Sequence, residues 1–249
     1  MKYPLIKPKY YFSLFSEVFS FIKKPTLEKN YEKSTKTKIY DAIGLYILKL
    51  VFLIPVVLFF ALVYDPVNVQ SASMSERFSP LVLLLVGGII LPFFEELTFR
   101  LSLRFKPIYF VLSSTVLTYY ILTKFVFFTK ISAVDDTFIT RVMLSSIVGL
   151  VLFPIVNVQW LKDKLTGFWS SNFRTIYYLS CLFFAWGHIT KYELNVTNVL
   201  LLPILTLPQL MSALMYGYLR ISFGFKYPLL FHMFTNLLAL SLSLLPFSD

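Results

Sequence analysis

Apolar residues in this chain gather into long blocks, separated by short segments rich in lysine, arginine, aspartate or proline. A helix needs ~20 such residues to cross the ~30 Å hydrocarbon layer of a bilayer. Seven blocks approach or exceed that length: 42–64, 80–104, 107–128, 141–160, 175–191, 196–219 and 227–246. The predicted fold is all-α, a polytopic transmembrane helical bundle of about seven spans. Upstream, residues 10–22 set Phe12, Phe15, Val18, Phe19 and Ile22 at helical spacing between Lys7, Lys9, Lys23 and Lys24. That pattern predicts an interfacial amphipathic helix on the inner membrane surface. Residues 25–40 read as a polar linker. The chain therefore divides into an amphipathic, basic cytoplasmic segment over 1–40 and a transmembrane domain over 41–249.

Composition agrees with the pattern: 57% of residues are hydrophobic and the mean hydropathy is +0.71, well beyond what a soluble core of 249 residues requires. The net charge of +10 would suit nucleic acid, but its placement argues for a membrane surface. Residues 1–38 hold nine lysines against three glutamates, which is +6 of the total. Further on, the connections alternate in sign. Those at 100–106, 161–174 and 220–226 carry mainly Arg and Lys, while 65–79 and 129–140 are neutral or acidic. Basic connections facing anionic lipid on one side predict an integral membrane protein with its N-terminus in the cytoplasm and its C-terminus outside. Membrane lipids are then expected partners and nucleic acid is not. The single cysteine, Cys181, excludes an intrachain disulfide framework. No secretory signal peptide is visible at the N-terminus.

Against this apolar background the ionisable residues stand out. Both histidines fall in apolar stretches: His188 in CLFFAWGHIT, and His232 in PLLFHMFTNLLAL with Asn236 one helical turn later. The stretch LVLLLVGGIILPFFEELTFR carries Glu95, Glu96 and then Arg100. Its eleven strongly apolar residues from Leu81 to Phe94 favour insertion by roughly 3–7 kcal/mol, and two carboxylates at mid-bilayer would cancel most of that. The glutamates must face protein or water, or lie near the interface. Adjacent helical residues point ~100° apart, and Glu96 with Arg100 has the i, i+4 spacing of an ion pair. Glu95 is then the freer carboxylate and the candidate general base. Phe184, one turn before His188, is placed to hold that ring by packing. The pair His232 and Asn236 could serve an oxyanion, a water or a metal, or act as an interhelical polar clamp.

The motifs Glu-Glu-x-x-x-Arg (95–100), Phe-x-x-x-His (184–188) and His-x-x-x-Asn (232–236), in that order, resemble those of the CPBP family. These are the CAAX proteases and bacteriocin-processing enzymes, also called the Abi family. The stretch from Pro208-Gln209 to Gly217-Tyr218-Leu219-Arg220 is similar to the family's third core helix, so the resemblance covers roughly 80–104 and 175–246. It implies an intramembrane endopeptidase acting on a membrane-associated or lipidated peptide or protein, and the Lys-, Tyr- and Phe-rich composition is compatible with a bacterial cytoplasmic membrane. By the same resemblance Glu95 and His188 activate the water, and His232 and Asn236 face the substrate carbonyl or a metal. Glu96 is a further member of the catalytic group or a support, with Arg100 and Phe184 supporting. Glu95, His188 and His232 are chemically able to hold zinc. The absence of a His-Glu-x-x-His motif and the unusual His/Asn pair favour metal-free catalysis. The 93-residue gap between Glu95 and His188 leaves room for two extra helices, 107–128 and 141–160.

Two other classes stay open. A non-catalytic membrane immunity or scaffold protein of the same fold would use these residues as clamps. A transporter would line an ion path with them, although no internal sequence symmetry supports one. Gly-x-Ser-Gly and Gly-x-Gly-Asp signatures of other intramembrane proteases are absent. By the predicted boundaries, Glu95 and His232 lie toward the cytoplasmic half and His188 toward the outer half. That is a depth difference of ~10 Å at 1.5 Å per residue.

Overall fold

The structure is a computed structural model and describes residues 4–28 and 32–245. Residue 246, the last of the predicted span 227–246, and Lys2 and Lys29 of the basic segment lie outside the described residues. Among those described, the fold is all-helical, with one isolated bridge between Asn68 and Tyr192 and no strand. Four helices are long and apolar enough to cross a membrane: α2 (Thr35–Leu62), α4 (Pro80–Leu103), α5 (Pro107–Val126) and α6 (Phe138–Asn157). They coincide with the first four predicted spans. Helix α2 begins inside the predicted linker, because the Ser34 side chain accepts from the Thr37 amide and caps it.

The other three predicted spans contain α8 (Phe173–Gly187), α11 (Leu207–Ser222) and α12 (Lys226–Ser243), of 15, 16 and 18 residues. They are short or polar for an apolar span, and they carry most of the candidate chemistry. Between α8 and α11 lie a 3-10 turn (His188–Lys191) and the short helices α9 (Val196–Leu200) and α10 (Leu202–Leu205). The predicted single helix over 196–219 is thus interrupted twice. Pro203 and Pro208 each open a new segment, where a missing N–H costs nothing. Helix α3 (Val69–Arg77) joins α2 to α4. Helix α7 (Gln159–Ser171) fills a connection read as loop. It buries no residue fully, but the Trp169 indole N–H donates to the Ser102 carbonyl at 2.8 Å.

Helix α1 (Pro8–Lys23) forms where the amphipathic pattern predicts it, and one face packs on the bundle. Leu14 and Val18 are buried, while Phe12, Phe15 and Phe19 stay exposed. Its polar residues tie three helices together. Tyr10 donates to Asp41 of α2 at 2.8 Å, and Tyr218 of α11 donates to Glu17 at 2.5 Å. Lys33 bridges Glu17 and Asp41 at 2.5 and 2.7 Å. The α5–α6 hairpin is held by Arg141, which has no exposed surface. Its guanidinium donates to Tyr119, Thr123, Ala133, Asp135 and Thr137, so all five N–H groups have partners.

Candidate active site

Helix α4 changes character at its midpoint. Val86–Ile90 forms a π turn, with the Leu91 amide bonded to the Val86 carbonyl. Pro92 lies two residues past this turn, has no N–H and crowds the carbonyl four residues earlier, so a local π turn relieves the clash. The extra residue rotates everything downstream by about one residue's angle, ~100°. Helix α12 approaches at the same level. A Cβ on Gly88 would stand 2.4 Å from Leu237 Cδ2, so the close contact depends on glycine. The Asn236 carboxamide donates to the Gly87 carbonyl at 3.3 Å. Arg220 of α11 caps the far end of α4, donating to the Arg100 and Leu101 carbonyls at 3.0 and 2.8 Å.

This framework fixes Glu95 and Glu96 against α12. Glu96 is fully buried, and its Oε1 accepts from His232 Nδ1–H at 2.9 Å. A carboxylate can only accept, so His232 carries its proton on Nδ1 and presents Nε2. That nitrogen faces Glu95 Oε2 at 3.6 Å, across a gap longer than a direct hydrogen bond. The Glu95 side chain is 21% exposed, so it is the accessible carboxylate of the pair. Arg100 Nε lies 3.7 Å from Glu96, which makes the predicted ion pair a looser contact than the imidazole bond. The Arg100 guanidinium instead lies over the Phe184 ring, 3.8 Å from its centroid. Glu96 Oε2 and both terminal nitrogens of Arg100 are buried without a hydrogen-bond partner among the described residues.

Phe184 links the two halves of the site. Its ring centroid is 6.0 Å from the His232 ring and 4.7 Å from the His188 ring. His188 opens the 3-10 turn, and its Nδ1 lies 2.7 Å from the Phe184 carbonyl. The carbonyl can only accept, so this imidazole too presents Nε2. Tyr216 packs on His232 in a tilted arrangement with centroids 4.9 Å apart, and its hydroxyl pairs with Thr235 at 2.9 Å.

The structure therefore brings Glu95, Glu96, Arg100, Phe184 and His232 into contact and sets His188 against Phe184. Asn236 is separate: its bond goes to Gly87, the clamp-like contact that the sequence left open. Two residues missed by sequence reasoning, Lys191 and Tyr120, lie within electrostatic range of Glu95. Lys191 is three residues after His188, and i, i+3 residues of a 3-10 turn share one face. An ionisable residue so close to His188 at the end of an apolar block was the signal that could have found it. Two imidazole Nε2 atoms and a carboxylate are suitable zinc donors, yet no three His, Cys, Asp or Glu side chains among the described residues gather around one point. As placed, the described side chains do not form a metal site. Compared with protein-family models, curated proteins and solved structures, the chain matches none.

Proposed function

We propose that this chain is an intramembrane endopeptidase of the CPBP type, working without a metal. The observation that carries the reading is the array Glu96–His232–Glu95, assembled from two sequence motifs about 136 residues apart. In the proposed step a water between Glu95 Oε2 and His232 Nε2 donates a hydrogen to each. Its oxygen attacks the scissile carbonyl carbon while Glu95 takes the proton, and that proton passes to the amine nitrogen as the C–N bond breaks. Glu96 holds His232 in the tautomer this requires. His188 offers Nε2 as a further acceptor at the site. The second N–H of Asn236 and the Lys191 ammonium are the donors proposed for the carbonyl oxygen. The substrate class is a membrane-associated or lipidated peptide or protein.

The topology proposed with it has seven spans, α8, α11 and α12 completing the four apolar helices, with the N-terminus cytoplasmic and the C-terminus outside a bacterial membrane. Arg104 and Lys106, with Lys162, Lys164 and Arg174 around α7, support that orientation. A second reading, a non-catalytic immunity or scaffold protein, is favoured by one observation. The bonds from His232 to Glu96 and from Asn236 to Gly87 also clamp α12 to α4. Glu95→Gln separates the two, because Glu95 makes no hydrogen bond among the described residues that folding would miss. The protease reading expects the variant to fold with wild-type thermal stability and to lose cleavage of membrane peptides completely. Cleavage, or the cellular phenotype, persisting in the variant points to the clamp reading.

A further inference from the structure

An apolar groove of about 210 Å³ runs between α1, α2 and α11, and none of its lining residues belongs to the candidate active site. Phe15, Phe19 and Ile22 of α1, Leu48 and Phe52 of α2, and Met215 of α11 form its walls, and every residue lining it is apolar. Apolar cavities of ~150 Å³ already stay dry and accept a hydrocarbon the size of benzene. The groove is open: Phe15, Phe19 and Phe52 are 40, 44 and 46% exposed and continue into the apolar outer face of α2. In a bilayer that face meets acyl chains.

One rim of the groove is cationic. The Lys23 ammonium leans back over the ring of Phe19, a groove wall, 4.5 Å from its centroid. Lys24 follows, exposed. Arg174 lies over Tyr178, whose hydroxyl bonds to the Ile22 carbonyl, so a third cation stands beside the same rim. None of the three forms an ion pair among the described residues. Hydrocarbon below and unpaired cations at the rim are complementary to one kind of molecule. We propose that the groove binds one acyl chain of an anionic phospholipid, with its phosphate held by Lys23, Lys24 and Arg174. The site is independent of catalysis and requires only that the chain sits in a membrane.

The test is native mass spectrometry of the full-length protein, titrated in detergent with palmitoyl-oleoyl phosphatidylglycerol and with the matched phosphatidylcholine. The expected result is preferential retention of phosphatidylglycerol. Replacing both lysines (Lys23→Gln with Lys24→Gln) is expected to lower that retention about thirtyfold, since each lysine near an anionic headgroup contributes ~1 kcal/mol. Leu48→Trp fills the groove and should lower retention of both lipids. Should that variant fold poorly, the wild type decides: phosphatidylglycerol with a diazirine on its acyl chain is expected to label 15–22, 45–52 and 211–215. Equal retention of the two lipids, or labelling elsewhere, overturns the proposal. So does a farnesylated peptide that phosphatidylglycerol fails to displace, since the groove would then belong to a lipidated peptide.

Discussion

His232 and Glu96 are 136 residues apart in sequence, and their side chains meet through a 2.9 Å hydrogen bond in the buried centre of the bundle. The bond anchors α12 to α4, and it also decides which imidazole nitrogen is left to face Glu95. Structure and chemistry thus share one contact. A change at Glu96 must therefore be read in both.

The tautomer assignment can be tested without a substrate. The chain has two histidines, so nitrogen NMR of the imidazoles resolves each one. Both rings are expected to carry a proton on Nδ1, because both Nδ1 atoms face groups that only accept. Glu96→Gln keeps an acceptor oxygen and loses the charge. It should alter the His232 signals, leave His188 unchanged, and lower cleavage by up to about 10⁴-fold, as when the carboxylate that orients a reacting imidazole is replaced by an amide. Glu96→Ala leaves His232 Nδ1–H and Arg100 without their carboxylate in a dry interior, and should cost about 3–5 kcal/mol of stability. An Nε2-protonated His232 in the wild type would refute the assignment.

Gly88 is expected to tolerate no side chain. A Cβ there would stand 2.4 Å from Leu237 Cδ2 and 2.8 Å from its Cγ, both in the helix that carries His232. Gly88→Ala should destabilise the protein by about 1–3 kcal/mol through overpacking. Adding Leu237→Ala should return part of that loss, as expected of two residues in contact. Thermal unfolding in detergent of the two single variants and the double variant measures the coupling, and strict additivity would contradict the packing described.

What the sequence revealed follows the range of each signal. Apolar blocks located the four long helices, because a span's length and hydropathy are local properties. The amphipathic pattern located α1 but not its partners Asp41 and Tyr218, which come from distant segments. For Glu96 the local i, i+4 partner Arg100 was visible, while the shorter bond to His232 depends on packing across the bundle. Likewise, Arg220 reads as a loop charge, and it is buried with its guanidinium on backbone carbonyls. Helix α7 was hidden by its lysines, although Trp160, Phe168 and Trp169 gave it an apolar side. The π turn before Pro92 had a legible cause in the proline, but its rotation of the two glutamates has meaning only once α12 is in place.

Arg220 provides a stability test away from the reacting groups. It donates from Nε and Nη2 to two successive carbonyls at the end of α4. A lysine has a single ammonium and cannot reproduce the two-pronged geometry. Arg220→Lys should therefore lose at least one of the two charge-assisted bonds and cost about 1–3 kcal/mol. Thermal unfolding in detergent should show this loss, and a lysine variant as stable as wild type would argue against the cap.

The hairpin joining α5 to α6 predicts how stability changes in acid. Asp135 is exposed in that connection. Hydrogen bonds from the Thr129 and Thr137 hydroxyls, then from the Thr137 amide and Arg141, hold its carboxyl well below the usual aspartate range. A carboxyl whose value is depressed on folding stabilises the native state fully above its unfolded value, about 3.9 for aspartate. The contribution is lost as pH falls through that value toward the depressed one. Its loss should register at the buried Arg141, whose other donors go to neutral oxygens. Thermal unfolding followed from pH 7 down to pH 3 should thus show a decline beginning near pH 4–5. In Asp135→Asn the midpoint at pH 7 should be lower, and this part of the acid-dependent decline should be missing. If the variant and the wild type lose stability in parallel over that range, Asp135 does not hold the hairpin.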